Sequence, residues 1–195
     1  PLGGYTFACN NGFVAMEAEH CWSATASEGT QWTVYPYYGR TRSAVALTPY
    51  TAPVGDAQLR YRFTLPDGTK QVAVHVVVKS TLDFLNMGGH EYTVSLDGGE
   101  AQTMNFNKTL VDRQPYMYAE FYPAVARRIV EKVVTLPVGS AGQEGTHTLT
   151  LHPCHPGIVF EKIVVDAGGY QPSYLFGAES VKDRKATAVL ADGGK

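Results

Sequence analysis

Two glutamates separated by a single residue are the first candidates for chemistry in this sequence. In Met16-Glu17-Ala18-Glu19-His20, strand alternation would point both carboxylates to the same face. Carboxylates on one face repel each other unless a cation lies between them, and calcium, which prefers oxygen ligands, is the natural candidate. Asp166, at the end of the last strong strand, would add a third carboxylate if the first and last strands pair. The alternative is that Glu17 and Glu19 are hydrogen-bonded or solvated on an edge strand.

A cluster of aromatic residues, in a segment rich in Ser, Thr and Gly, is the second candidate. It continues into Gly39-Arg40-Thr41-Arg42-Ser43, so aromatic rings and two guanidinium groups lie close together in the chain. Aromatic faces stack on the apolar face of a pyranose ring and arginine pairs with a carboxylate, so this combination suits an acidic sugar. Together with the loop of residues 80–91, the candidate contacts are Trp32, Tyr37, Tyr38, Arg40 and Asp83.

Part of this aromatic cluster has a structural explanation as well. Trp32 and Tyr35 could be core residues, and Tyr37 and Tyr38 could cover a sheet edge. We therefore expect at least half of the cluster to be structural.

Motifs for catalysis are missing from the sequence. It contains no G-x-S-x-G elbow, no P-loop and no H-E-x-x-H pair. Most acids, such as Asp67 and Asp97, lie in turn segments that explain them without catalysis. The string His152-Pro153-Cys154-His155 could suggest a metal, but its prolines and the lack of a second ligand cluster favour a turn between strands. We expect no enzymatic activity from this chain.

The composition excludes several classes of protein. The chain has 195 residues, of which 44% are hydrophobic and 17% charged, so it can bury a sizeable core and is not a disordered segment. With 16 basic and 18 acidic side chains, it has no basic stripe for a nucleic acid. Its longest apolar runs, such as residues 72–78, are too short to cross a membrane.

The three cysteines make an odd count. Cys9 and Cys21 could pair in an oxidising compartment and leave Cys154 free, or all three could be unpaired thiols that behave as small hydrophobes. The odd count favours the unpaired state.

The elements that must position these residues are short strands. Apolar and polar residues alternate along residues 59–65 and 91–96, and residues 71–79 place four valines on one face. Gly and Pro separate nearly all of these segments, which is typical of an all-β antiparallel sandwich of the jelly-roll kind. Only residues 118–129 could form a helix, of one or two turns.

The same pattern predicts one domain with short ends. We assign residues 12–180 to the sandwich, residues 1–11 to an N-terminal extension and residues 181–195 to a C-terminal tail. The start, Pro1-Leu2-Gly3, resembles the remnant of a protease site.

Several strings match those of a known family, in the same order. They lie at residues 12–20, 39–45, 80–84, 92–99 and 156–166, followed by Gly168-Gly169, residues 172–175 and Glu179-Ser180. Over about residues 12–180 the chain resembles the C-terminal domain of glycoside hydrolase family 115 enzymes, the xylan α-glucuronidases. The departures are His155, where the family usually has an acid, Cys21 and Arg42.

The resemblance implies a β-sandwich similar to carbohydrate-binding modules of families 6 and 35. In those modules an E-x-E pair and an aspartate near the last strand hold a structural calcium ion, which would correspond to Glu17, Glu19 and Asp166 here. The resemblance also implies that the catalytic acids of the α-glucuronidases lie in other domains, so their activity is not carried over.

The expected function is therefore that of a non-catalytic accessory domain. It would bind a plant cell-wall polysaccharide or oligosaccharide, such as glucuronic-acid-decorated xylan. The alternative is a structural or dimerisation domain of a multidomain α-glucuronidase, which packs on the catalytic domain or on a second protomer. In either case we expect a secreted, periplasmic or cell-surface protein of a polysaccharide-degrading bacterium, with neither nucleic acid nor membrane as a partner.

Overall fold

The computed structural model describes residues 2–38, 43–81, 88–173 and 175–184, most of which form two packed β-sheets. A π-helical turn (Met117–Phe121) leads into the helix α1 (Tyr122–Arg127), and a 3₁₀ turn covers Gln143–Gly145. The strands in these ranges are β1 (Tyr5–Phe7), β2 (Phe13–Glu17), β3 (Ser23–Thr25), β4 (Gln31–Pro36), β5 (Ser43–Thr48), β6 (Gln58–Thr64), β7 (Gln71–Lys79), β8 (Glu91–Leu96), β9 (Gln102–Asn105), β10 (Ile129–Pro137), β11 (Thr146–Pro153), β12 (Val159–Asp166) and β13 (Lys182–Arg184).

The two sheets are largely antiparallel. The first has the strand order β13-β1-β6-β11-β8-β9, and β3 also pairs with β6. The second has the order β10-β7-β12-β5-β4, and β2 also pairs with β12. In the described ranges only β1 and β6 run parallel. The antiparallel β-sandwich predicted from the period-two pattern is therefore confirmed.

The core between the sheets is built from alternating strand residues. Along β6, Leu59, Tyr61 and Phe63 are fully buried while their neighbours are half-buried. The hydroxyl of Tyr61 donates a hydrogen bond of 2.8 Å to the carbonyl oxygen of Ala18, so this buried polar group is satisfied. Phe160 of β12 lies at the centre of the same core. Because strand residues alternate in direction, these side chains meet those of the opposite sheet.

A second apolar cluster lies outside the sandwich, on the outer face of the second sheet. Tyr170 and Phe176, from the chain that follows β12, pack there against Val77 and other outward-facing residues. We call residues 175–180 the C-terminal strap. Its Ser180 is held by Ala15, whose amide donates to the Ser180 hydroxyl at 2.8 Å and whose carbonyl accepts from the Ser180 amide at 2.9 Å. The second sheet is therefore covered on both faces at this place.

The structure extends the sandwich beyond the boundaries expected from the sequence. Tyr5 to Phe7, which the sequence assigned to the N-terminal extension, form β1 and pair with both β6 and β13. Lys182 to Arg184, assigned to the tail, form β13. Strands of three residues are too short for a period-two pattern to reveal them. No helix in the described ranges has the length and apolar character that a membrane span requires.

The three cysteines are free thiols in the structure. Burial raises the pKa of the Cys21 thiol to about 12, and burial also raises the pKa of Cys9 and Cys154. Because the thiolate is the reactive form, Cys21 acts as a small hydrophobe of the core at neutral pH.

Candidate functional site

Tyrosines of β4 and the loops beside it form an aromatic surface, and we call Tyr35, Tyr37, Tyr38 and Tyr50 the tyrosine platform. The ring centroids of Tyr35 and Tyr38 are 5.6 Å apart, and the hydroxyls of Tyr35 and Tyr50 are hydrogen-bonded at 3.2 Å. Tyr37 has a left-handed backbone with φ of 56° and a side chain that is 98% exposed. The platform therefore offers aromatic surface to solvent.

The alternation of β4 explains which of its residues reach this surface. Tyr35 lies on the outer face, where it packs against Ala44, Ala46 and Val159. The small alanine side chains leave room for the tyrosine ring beside the backbone of β5. Trp32 lies on the opposite, core-facing side of the same strand.

A cation borders the platform at the end of β7. The ammonium of Lys79 lies 4.0 Å from the centroid of the Tyr38 ring and also donates a hydrogen bond to the Tyr38 hydroxyl. This cation–π contact and hydrogen bond hold a positive charge next to an exposed aromatic face. The sequence did not single out Lys79, because a lysine at the end of a strand is usually only a solvated residue.

The platform also contains polar groups that stay neutral. Burial, and then the hydrogen bond with Tyr35, raise the pKa of Tyr50 to about 12. Tyr50 is therefore a neutral phenol at physiological pH, and its hydroxyl can both donate and accept hydrogen bonds. Neutral hydroxyls next to aromatic rings suit a ligand rich in hydroxyl groups.

Two of the predicted sugar contacts, Arg40 and Asp83, lie outside the described residues. Their described neighbours are close to one another, because Tyr38 immediately precedes residues 39–42 and contacts Lys79, three residues before residue 82. Arg40 and Asp83 therefore stay predictions.

Trp32 packs against the core of the sandwich and is held there by a hydrogen bond. Its indole N–H donates a hydrogen bond of 2.8 Å to the carbonyl oxygen of Thr25, and its ring centroid is 6.4 Å from that of Phe160. The ring is partly buried and packs against the main core. This agrees with the expectation that part of the aromatic cluster is structural, and it takes Trp32 out of the set of contacts that we propose below.

A buried polar pair, His90 and Asn107, contacts the chain just after β7. Asn107 donates one side-chain hydrogen bond of 2.9 Å to the carbonyl oxygen of Thr81, and its amide nitrogen lies 2.7 Å from Nδ1 of His90. His90 and Asn107 are both buried. They fix the chain at Thr81, two residues after Lys79. A lone histidine and a lone asparagine gave no signal for this role in the sequence.

The three carboxylates predicted to hold calcium are not brought together. On the antiparallel pair of β2 and β12, Glu17 lies opposite Lys162, whereas Asp166 lies opposite Phe13 at the other end. Asp166 accepts hydrogen bonds from the amides of Gly168 and Tyr170, at 2.7 and 3.1 Å, and so closes a turn. The two strands that the sequence predicted to be first and last, β2 and β12, do pair, but the antiparallel register separates Asp166 from Glu17.

The environment of the glutamate pair also differs from a calcium site. Strand β2 ends at Glu17, so alternation does not continue to Glu19, which lies beside His20 with a separation of 3.7 Å. Glu17 faces the ammonium of Lys162 at 3.7 Å. Among the residues that the structure describes, no three His, Cys, Asp or Glu side chains are placed to hold a metal ion. The residues present do not fit the predicted calcium set, and calcium binding of another kind stays a prediction.

The two histidines of the string at residues 152–155 form hydrogen bonds with backbone groups. The ring nitrogen Nδ1 of His152 is hydrogen-bonded to the carbonyl oxygen of Ala57 at 2.7 Å, and Nδ1 of His155 accepts from the amide of Glu91 at 2.9 Å. His152 and Pro153 are the last two residues of β11, where they pair with β8, and only Cys154 and His155 lie in the turn that the sequence predicts.

The fold is a β-sandwich similar to that of carbohydrate-binding modules of families 6 and 35. The model of the glycosyl hydrolase family 115 C-terminal domain matches residues 6–179, and the chain belongs to this family. A comparison with curated proteins gave no match.

Solved structures with the same fold include enzymes and isolated binding modules. A family GH115 4-O-methyl-α-glucuronidase, BtGH115A, superposes with a TM-score of 0.53 at 17% identity; the match covers 72% of this chain but only 17% of that enzyme. The family 35 module from Clostridium thermocellum gives a TM-score of 0.51 at 13% identity, with 78% and 97% covered. The C-terminal CBM6 of the laminarinase LamC from Zobellia galactanivorans gives 0.50 at 15% identity, with 79% and 98% covered.

Proposed function

We propose that this chain is a non-catalytic accessory domain that binds a plant cell-wall glycan carrying acidic sugars, such as glucuronic-acid-decorated xylan. The observation that carries the proposal is the tyrosine platform with Lys79 at its border. The exposed faces of Tyr37 and Tyr38 would stack on pyranose rings, and the ammonium of Lys79 would pair with a uronate carboxylate.

The relatives support the choice of an acidic sugar. BtGH115A is described as a 4-O-methyl-α-glucuronidase with specificity for decorated arabinogalactans, so the catalytic reaction of one relative concerns a uronic acid. An accessory domain that binds uronate-bearing chains would keep such a catalytic domain near its substrate by raising its effective concentration. A polysaccharide ligand also implies that the protein acts outside the cell, secreted, in the periplasm or on the cell surface.

The proposal predicts that single tyrosines control the affinity. Tyr37→Ala and Tyr38→Ala should each weaken binding of glucuronoxylan oligosaccharides about tenfold, because each removes one stacking surface worth about 1.4 kcal/mol. Calorimetric titration measures the dissociation constants, and xylo-oligosaccharides without uronate test the contribution of Lys79.

The matched control is Tyr118→Ala. Tyr118 is also exposed, but it lies in the π-helical turn, away from the platform residues in the chain. The affinity of the Tyr118→Ala variant for glucuronoxylan oligosaccharides should equal that of the wild type. Saturable binding that neither platform variant weakens would remove the tyrosine platform as the glycan site, and the lack of any heat with all glycans would remove the function.

A second candidate function is packing against a catalytic domain or a second protomer. The observation that favours it is a group of exposed apolar side chains on the π-helical turn and α1, formed by Tyr118, Tyr122 and Val125. The rings of Tyr118 and Tyr122 are in edge contact at 5.5 Å. Exposed apolar patches of this kind often mark interfaces.

For self-association, sedimentation velocity supplies the test. If the patch joins two protomers, the wild type should sediment as a dimer and Tyr118→Ser as a monomer. A wild-type monomer at every accessible concentration would exclude the second protomer as the occupant.

A further inference from the structure

The side chain of Lys162 occupies the place where the sequence led us to expect a metal ion. Lys162 lies in the middle of β12 and is only 2% exposed, and Glu17 beside it is equally deep in the protein. Its ammonium donates hydrogen bonds to the carbonyl oxygens of Leu175 and Gly177, at 2.9 and 2.5 Å, and lies 3.7 Å from Oε1 of Glu17. The cation is therefore surrounded by oxygen atoms from two separate parts of the chain.

Physical chemistry explains why these oxygens and this lysine belong together. A buried ammonium is very unfavourable unless hydrogen-bond acceptors and an opposite charge replace its hydration shell. Conversely, a buried carboxylate and two carbonyl oxygens that point to one spot need a cation there. Oxygen atoms of carboxylates and carbonyls are also the ligands of calcium, so a single set of oxygens could serve either cation.

In the described part of the chain, charged side chains of both signs line the space beside Lys162. A cavity of about 530 Å³ adjoins Lys162, and its charged lining residues are Glu17, Glu179, Lys162 and Lys182. Two carboxylates face two ammonium groups, and Lys182 donates a hydrogen bond to Glu179. A divalent ion would add positive charge without a further carboxylate in the lining to compensate it.

We propose that the Lys162 ammonium is the structural cation of this domain, which closes the fold without a metal ion. It ties the C-terminal strap to β2 and β12, because its hydrogen-bond acceptors lie in the strap and its carboxylate partner ends β2. The proposal concerns a position remote from the tyrosine platform in the chain, and it is tested without any glycan.

The experiment measures thermal unfolding of the whole chain in the presence of excess EDTA and in the presence of excess calcium. The Tm of the wild type should be the same in both. Lys162→Met, which keeps the length of the side chain but removes the charge, should lower the Tm by about 10 °C, since it removes the ammonium beside the buried carboxylate of Glu17 and the donor to two carbonyl oxygens. The matched control is Lys182→Met at the more exposed lysine of the same cavity, which should lower the Tm by only about 3 °C.

Two results would overturn the proposal. One is a wild-type Tm that rises with calcium and falls with EDTA, which would show that a metal ion is the cation. The other is an equal loss of stability in the two lysine variants. If Lys162→Met does not fold while Lys182→Met does, the difference between the lysines is as proposed, and the wild-type comparison with EDTA and calcium remains able to refute the role of Lys162.

Discussion

Replacing Trp32 with alanine is expected to lower the free energy of unfolding by about 3 kcal/mol, whereas Tyr37→Ala is expected to leave it unchanged within about 0.5 kcal/mol. Trp32 packs against the core and its indole N–H is bonded to Thr25, so its loss opens a cavity and frees a carbonyl group. Tyr37 is almost fully exposed, and alanine there removes little packing. Urea unfolding of the two variants measures the difference.

The same two variants separate structural from binding residues. At a temperature where both are folded, Trp32→Ala should keep the glycan affinity of the wild type, and Tyr37→Ala should lose most of it. A Trp32→Ala variant with wild-type stability and no affinity would contradict this interpretation and restore Trp32 as a sugar contact.

The second large effect concerns Glu179 of the C-terminal strap. Burial by itself would raise the pKa of this carboxyl, but hydrogen bonds from His20 and Lys182 outweigh it and lower the pKa from the ordinary 4.5 to about 2. Glu179 also accepts a hydrogen bond of 3.1 Å from the amide of Glu17. These contacts hold the strap on β2 and on the turn that follows it.

A lowered pKa stabilises the fold only while the carboxyl is ionised. The contribution of Glu179, about 2 kcal/mol once solvent screening of this half-buried carboxyl is allowed for, is fully present above pH 4.5 and is lost as the pH falls towards 2. Glu179→Gln should therefore be less stable than the wild type at neutral pH by about this amount, and should lose less stability than the wild type between pH 4.5 and 2. Urea unfolding across that range measures both effects.

Glu100→Gln is the matched control for the acid experiment. Glu100 is an exposed glutamate in the loop between β8 and β9, so its replacement should change neither the stability nor its dependence on pH. A Glu179→Gln variant with the pH profile of the wild type would show that another carboxyl controls the acid transition.

The strands could be predicted from the sequence because burial and alternation carry the same information. In β6 and β7 one side of each strand faces the core, so the period-two pattern appears directly in the residues. The burial of the outer face of the second sheet could not be predicted from the sequence. Val77 on that face is covered by Tyr170 and Phe176, which lie about a hundred residues away in the chain. Only the folded arrangement shows that this part of the second sheet has an apolar layer on both sides.

Strand alternation predicts only some of the positions of the candidate site residues. Alternation along β4 correctly puts Trp32 and Tyr35 on opposite faces of the strand. It cannot say which of the two faces points to the core. It fails for Glu17 and Glu19, because β2 ends between them. The strongest signal that was available is Lys162, a charged residue inside the apolar strand β12, since a buried lysine requires partners. Its partners come from the strap, and no spacing in the sequence could identify them.

The pairing of β1 with β13 has a mechanical consequence. Tyr5 lies opposite Arg184, so the chain enters and leaves the sandwich side by side. Tension applied to the chain on both sides would open the hydrogen bonds between these two strands one after another, because the force acts at one end of the pair. Such unzipping needs less force than shearing all the bonds at once. The pair of β1 and β13 would therefore open first. The longer antiparallel pair of β7 and β12 would stay folded, and β1 and β13 could pair again on it when the tension is released.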